Sequence, residues 1–379
     1  MRKPYARLRT EQGSIDGAQL VPAARPVRSA RSRVRLILIV LMAALLVSMT
    51  AAVMLGPVSI SPLTVWRIAL AKTLGPVSVI EPDWHAAQES IVWNIRFPRV
   101  LLGAIVGAGL AIVGVVIQAL VRNALADPYI LGISSGASAA ATLSILFGAF
   151  SFFGSYALSL GAFMGALLSM AAVYLLAQVG GRMHTTRLLL AGVSVSIILT
   201  ALTNFIVTMA PDEKGMRDAM FWIMGSFSGA KWDYVALPGL FVAAGFVFLL
   251  VQYRSLNALL MGEEAAVTLG VDIQAFRKTL LVVSSLLTGV LVAVSGAIGF
   301  IGLMIPHLAR LFVGSDHRHV LPISALIGAI AAVWSDVLAR LLLAPEELPV
   351  GVITALCGGP FFIWLLRRGT YSFGGGDER

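Results

Sequence analysis

Charge is scarce in this 379-residue chain: 12% of its residues are Asp, Glu, Lys or Arg, against about 25% in soluble domains. A soluble core of this size needs a charged shell, so an ordinary soluble protein is excluded. Disorder along the whole chain is excluded too, because 58% of the residues are hydrophobic and the mean hydropathy is +0.89. Cysteine is nearly absent. Cys357 stands alone in an apolar run, where a packing role is expected, and it rules out an intrachain disulfide or a cysteine-built metal site. Nucleotide and catalytic signatures are missing as well. None of Lys3, Lys72, Lys214, Lys231 and Lys278 follows a glycine, so there is no P-loop, and the chain is expected not to hydrolyse ATP by itself. No His-Glu-x-x-His helix and no paired intramembrane carboxylate occur, which disfavours an intramembrane enzyme.

What is present is long apolar sequence. Runs such as 36–55 match the ~20 residues of a membrane-crossing helix, whereas barrel strands alternate polar and apolar residues over ~10. Ten spans are expected, at about 36–55, 98–120, 129–150, 158–179, 188–210, 236–252, 279–297, 298–314, 320–343 and 348–366. The fold expected is all-α and polytopic. The split between the seventh and eighth spans is the loosest, because Gly296, Gly299, Gly302 and Pro306 favour a tight re-entry there. Spans two to five and seven to ten have the arrangement of two inverted repeats of four helices. Glycines at 103, 107, 109 and 114, and again at 161 and 165, fit close packing of helix backbones.

The formal charge of +9 reads as topology rather than nucleic-acid binding, since nine of the 28 Lys and Arg residues lie in the first 35 positions. With both termini inside, 20 of the 28 basic residues fall on the cytoplasmic side. Residues 1–35 read as a disordered basic tail, 36–368 as the transmembrane domain, and 369–379 as a short cytoplasmic tail. Two stretches outside the spans, an outer one at 211–235 and an inner one at 253–278, are long enough to hold short helices. In the outer one, Phe221, Trp222 and Trp232 beside Asp212, Glu213 and Asp233 suit an interfacial helix. In the inner one, Leu256, Leu259 and Leu260 form an i, i+3, i+4 patch, followed by Glu263 and Glu264 between Gly262 and Gly270. That pattern suits a short helix seated in a partner's groove.

Asp336 is the clearest ionisable side chain inside a span, as an ion-coupled secondary carrier would need. It stands four residues before Arg340, which favours an internal ion pair instead.

A set of motifs then resembles the FecCD family, permease subunits of ABC importers for ferric siderophores, haem and cobalamin. The motifs are Arg96-Phe97-Pro98-Arg99, Gly107, Gly109, Gln118, Arg122 through Pro128, and Leu131 through Ala137. Further along come Gly262-Glu263-Glu264-Ala265-Ala266 with Leu269-Gly270, Gly299 through Leu303 with Pro306-His307, Asp316-His317-Arg318, and Glu347 through Gly351. The likeness covers roughly 90–368. It departs at Ala124, where the family commonly has proline, so the turn there is expected to be less rigid.

The resemblance implies ten helices per subunit, and two subunits, identical or homologous, around a central pathway in the bacterial cytoplasmic membrane. It also implies two cytosolic ATPase subunits that carry ATP and magnesium, and an extracytoplasmic substrate-binding protein. No cofactor on this chain is expected. Gly262 to Gly270 would couple to the ATPase, with Ala266 in the packed contact. Arg96, Arg99 and Arg340 would meet carboxylates of the binding protein. Met183, His184, Thr185, Thr186 and Asn123 would narrow the inner exit. If the fifth and tenth spans line the pathway, they offer Ser194, Ser196, Thr200, Thr203, Asn204, Thr208 and Thr354, with no charge against the cargo. A ferric siderophore is the substrate expected first, from the family's commonest use.

Overall fold

The computed structural model describes residues 27–56, 58–75, 83–180 and 182–367, and within them the chain is helical apart from turns and one short hairpin. Seven helical stretches are long and apolar enough to cross a membrane: Ser32–Met54, Ala86–Val121, Ser151–Ala177, Thr185–Thr208, Trp232–Val251, Ile273–Ser295 and His317–Leu341. Three shorter apolar helices, Ile133–Phe147, Ile301–Val313 and Val350–Leu365, occupy the remaining expected segments.

In chain order the helices are α1 (Val27–Met54), α2 (Pro62–Leu74), α3 (Ala86–Glu89), α4 (Phe97–Val121), α5 (Ile133–Phe147), α6 (Ala157–Ala177) and α7 (Thr185–Thr208). They continue as α8 (Glu213–Ile223), α9 (Ala236–Val251), α10 (Tyr253–Met261), α11 (Glu263–Thr268), α12 (Ile273–Ser295), α13 (Ile301–Val313), α14 (His317–Leu341) and α15 (Val350–Arg367). A hairpin of β1 (Gln178–Val179) and β2 (Arg182–Met183) joins α6 to α7. Helix α1 begins at Val27, inside the stretch expected to be an unstructured tail. Once a span has nucleated, adding Arg- and Ala-containing turns to its end costs little. Residues 1–26 and the expected short tail at 369–379 lie outside the described residues.

Short polar residues set several helix starts. The Asp212 carboxylate accepts from Gly215 N at 2.7 Å ahead of α8, and Asp272 accepts from Ala275 N at 3.1 Å ahead of α12. The seventh and eighth expected spans part where the glycines predicted: α12 ends at Ser295, Gly296 follows at φ 65°, and α13 begins at Ile301.

Helix α4 is the centre of the bundle, buried over nearly all its length. A Cβ on Gly107 would lie 2.2 Å from the Gly328 carbonyl of α14, and one on Gly114 would lie 1.9 Å from that of Gly302 in α13. Contacts this close admit glycine alone. Helix α4 packs on α14 while α12 packs on α6, and α5 packs on α6 while α13 packs on α14. Exchanging the α4–α7 set with the α12–α15 set maps each of these pairs onto the other, as the expected repeat requires.

Candidate functional site

Helix α4 spans 25 residues, roughly 36 Å at 1.5 Å per residue, and a cluster of polar side chains stands at each of its ends. At the end where α4 begins, the arginines expected to dock a partner come together, but facing inward. Arg96, Arg99 and Arg340 are only 5%, 6% and 6% exposed. Arg96 donates from Nη1 to the carbonyls of Val53 and Met54 at 2.8 and 3.1 Å, and from Nη2 to Val58 O at 2.6 Å. It thereby satisfies carbonyls left open where α1 ends. Arg340 donates to Leu55 O and Ala52 O at 3.1 and 3.0 Å. Arg99 forks onto both oxygens of Glu347 at 2.9 and 3.0 Å, and its Nε lies 2.9 Å from Asp336 Oδ1.

The expectation of free guanidiniums at a rim is thus corrected: the carboxylates that Arg99 and Arg340 meet belong to their own chain, and Arg96 is held by backbone carbonyls. Asp336 is 2% exposed and also pairs with Arg340 at 3.1 Å. The internal pairing read from their spacing is present, and it occupies the one carboxylate that a secondary carrier would have used.

At the other end the polar groups stay open. Gly262, at φ 114°, breaks the chain between α10 and α11, and Gly270 at φ 80° closes α11, with Val271 N bonded to Ala266 O at 3.0 Å. The helical segment expected between these glycines is present, but its faces differ from expectation. Leu256 and Leu259 are buried against the bundle and Ala266 is fully enclosed, whereas Met261, Val267 and Leu269 are 72%, 62% and 64% exposed. Ala266→Arg would therefore disturb this chain's own packing rather than a partner contact. Leu256 and Leu259 turn inward because α10 needs an apolar face to lie on the bundle.

Beside this pair two cavities open, of about 500 and 630 Å³. The first takes in Met183, His184 and Thr185, the second Asn123, Thr185 and Thr186, and Glu263 and Arg277 line both. The residues expected at an exit and those expected at a coupling contact therefore share one cleft. Arg277 is 3% exposed and its Nη2 lies 2.6 Å from Glu263 Oε1. Sequence reasoning missed Arg277, because nothing in the spacing of α11 and α12 says that they fold back on each other. It also missed Asn257, which donates to Asp316 Oδ1 at 2.8 Å and accepts from His317 N at 2.9 Å, tying α10 to the start of α14. Burial pushes the Asp316 carboxyl up, but the Asn257 amide, the Arg318 N–H and the neighbouring imidazoles together hold it below its usual range.

The expected pathway residues divide. Ser194, Thr200, Asn204 and Thr208 lie exposed along one arc of α7. Ser196 is half-buried, and Thr203 and Thr354 are buried with their hydroxyls on the carbonyls of Leu199 and Gly351, so these three face the bundle and not a pathway. The back-bonding of Thr203 and Thr354 within their helices satisfies those two hydroxyls at little cost in an apolar interior. Cys357, expected in packing, is exposed on α15.

Among the described residues, membrane-length apolar helices in one bundle, with a short helix pair beside an open cleft, have the build of a polytopic membrane protein. The model of the FecCD transport family matches residues 41–368, and the chain belongs to that family. The match begins well before residue 90, where the motifs start. The chain is 47% identical over 279 residues to the cobalamin import system permease protein BtuC of Halobacterium salinarum, covering 73% of each chain. It is 41% identical over 300 residues to the hemin transport system permease protein HmuU of Yersinia pestis, covering 78% of this chain and 87% of that one. Among solved structures, an inward-facing ABC transporter of assumed metal-chelate type superposes with a TM-score of 0.75 at 31% identity, covering 88% of this chain and 99% of that one. The chain is a permease of an ABC transporter, and the ATPase is a separate subunit.

Proposed function

We propose that the chain imports a metal chelate across the bacterial cytoplasmic membrane as one of two permease subunits, with both termini in the cytoplasm. A substrate-binding protein delivers the chelate outside, and two cytosolic ATPases drive alternating access through the α10–α11 pair. The observation that carries this reading is the Glu263 cleft, where the coupling segment and the exit residues line the same space. Met261, Val267 and Leu269 give an ATPase groove its apolar purchase, and Glu263 and Glu264 give it charge.

Helices α7 and α15 pack on other members of the bundle and leave exposed faces, as walls shared across a two-fold interface would. The exposed arc of α7 carries hydroxyls and an amide but no charge, which suits passage of a bulky chelate without retention. The relatives named above carry cobalamin and haemin, so these stand beside a ferric siderophore as substrates. Docking of the binding protein falls to surface around Glu347, which remains 35% exposed in its side chain, rather than to the three buried arginines.

The deciding experiment is uptake of radiolabelled cobalamin, haemin and ferric siderophores by cells lacking and then regaining the chain, with the ATPase intact or disabled. Restored uptake of one chelate, lost with the ATPase disabled, supports the reading. Uptake indifferent to the ATPase overturns it in favour of an ion-driven carrier.

A further inference from the structure

Helices α6 and α12 lie side by side with a groove between them of about 250 Å³, walled by Leu167, Met170, Ala171, Leu281, Val282 and Leu286. At one end stand Tyr174 and Lys278. From Leu167 to Tyr174 is seven residues of helix, roughly 10 Å, which is most of the ~15 Å depth of one leaflet. The floor is sealed, with Met170 and Leu281 only 5% and 2% exposed, while Leu168, Leu175 and Val282 stand 68%, 68% and 50% exposed around it.

The groove does not end at Tyr174 and Lys278. Both also line a second cavity of about 270 Å³ together with Gln178, Gln274, Met183 and Ala275. Gln274 accepts from Met183 N through Oε1 at 3.1 Å, which leaves its NH2 as a donor. Lys278 is exposed, takes part in none of the ion pairs among the described residues, and has no carboxylate beside it in either cavity. An apolar slot therefore opens into a chamber that offers an ammonium, an amide and a phenol.

We propose that the slot and the chamber are the two halves of a site for one anionic glycerophospholipid, an acyl chain in the groove and the phosphate against Lys278. A span's exposed apolar wall is covered by lipid tails in any case; the polar end supplies the choice among lipids, because a cation at the headgroup level attracts anionic lipid. The site rests on the membrane-permease reading, and with the Glu263 end inside it opens to the cytoplasmic leaflet. Met183 and Gln274 line the Glu263 cleft as well, so the bound lipid braces the hairpin that forms one wall of that cleft.

The test is native mass spectrometry of the full chain purified in detergent, titrated with palmitoyl-oleoyl phosphatidylglycerol and with the phosphatidylcholine of the same chains. The expected result is binding of phosphatidylglycerol about fivefold tighter than phosphatidylcholine. Lys278→Gln removes that preference and Lys278→Arg keeps it, while Ala171→Trp, which fills the groove, weakens both lipids several-fold. A preference that survives Lys278→Gln, or binding untouched by Ala171→Trp, overturns the site. So does efficient disulfide cross-linking of Val282→Cys to a second copy, which would show the groove covered by protein. The readout is lipid on the isolated chain, so its failure leaves the import reading standing, and lost import with normal lipid binding does the reverse.

Discussion

At the Arg99 end, three arginines meet two carboxylates and five backbone carbonyls of their own chain, nearly all of it out of reach of solvent. At the Glu263 end, a single ion pair borders a cleft that stays open, and the apolar residues beside it are uncovered. The side chains are of the same kinds, so charge alone does not separate a closed cluster from an open one. A guanidinium taken out of water must be matched where it lies, because an unmatched buried charge costs several kcal/mol. A half-exposed carboxylate is screened and can exchange its partner for one on another chain. The Arg99 cluster pins α1, α4 and α14 together; the Glu263 cluster leaves room for a contact to be made and broken.

The largest effect follows from breaking the closed end. Asp336→Ala leaves Arg99 and Arg340 buried without the carboxylate between them, and should lower stability by about 3–5 kcal/mol. Thermal unfolding of the purified chain in detergent reads this directly. A midpoint equal to the parent's would show that the network does not hold the helices. Charge reversal at Arg96 or Arg99 should likewise reduce the amount of folded chain, so lost uptake in such variants says nothing about docking.

The open end should answer differently. Leu269→Arg places a charge on an exposed surface, where stability moves by ~0.5 kcal/mol or less. Association with the ATPase should nonetheless weaken at least tenfold, about 1.4 kcal/mol, measured by co-purification or by ATPase stimulation. Unchanged association would move the contact away from α11. A smaller effect is expected of Glu263→Ala, which strips Arg277 of its carboxylate. Arg277 is buried but lines both open cavities, so water can replace the 53%-exposed Glu263 carboxylate at its guanidinium, and the loss should be about 1 kcal/mol rather than the several of the closed end. The exchanged pair Glu263→Arg with Arg277→Glu should recover part of it in a double-mutant cycle; no recovery would mean that the two do not act as a pair.

Much of this was legible in the sequence. Apolar length marked every long helix, and Gly262 and Gly270 marked the two ends of α11, because a helix end at positive φ selects glycine. The Asp336–Arg340 pair was legible too, being one helical turn apart. The partner of Arg99 was not, since Glu347 lies 248 residues away and only the packing of α4 against α14 brings them together. Nor could spacing say which face of α10 looks outward, for a short apolar patch fits a partner's groove and its own bundle equally well. Leu256 and Leu259 went to the bundle because burial against a surface already formed outcompetes exposure.

The finest test of the contrast uses a further carboxylate. Asp127, in the turn after α4 at the Glu263 end, is half-buried rather than enclosed like Asp336, and its Oδ1 takes the Tyr129 backbone N–H at 2.8 Å instead of arginines. Burial outweighs that hydrogen bond and pushes its carboxyl up from 3.8 to about 6. The folded chain then holds this proton more tightly than the unfolded chain does. The resulting stability is fully present below the unfolded value of 3.8 and is lost as pH rises through about 6. Asp127→Asn keeps a good capping group but removes the titration. The gap in unfolding midpoint between parent and Asp127→Asn should therefore shift in the parent's favour on going from pH 7.5 to pH 5. Taking the difference cancels carboxylates such as Asp316, whose lowered value acts with the opposite sign. A gap that does not move with pH would mean that Asp127 is matched as fully as Asp336, and that both ends of α4 follow one rule for buried charge.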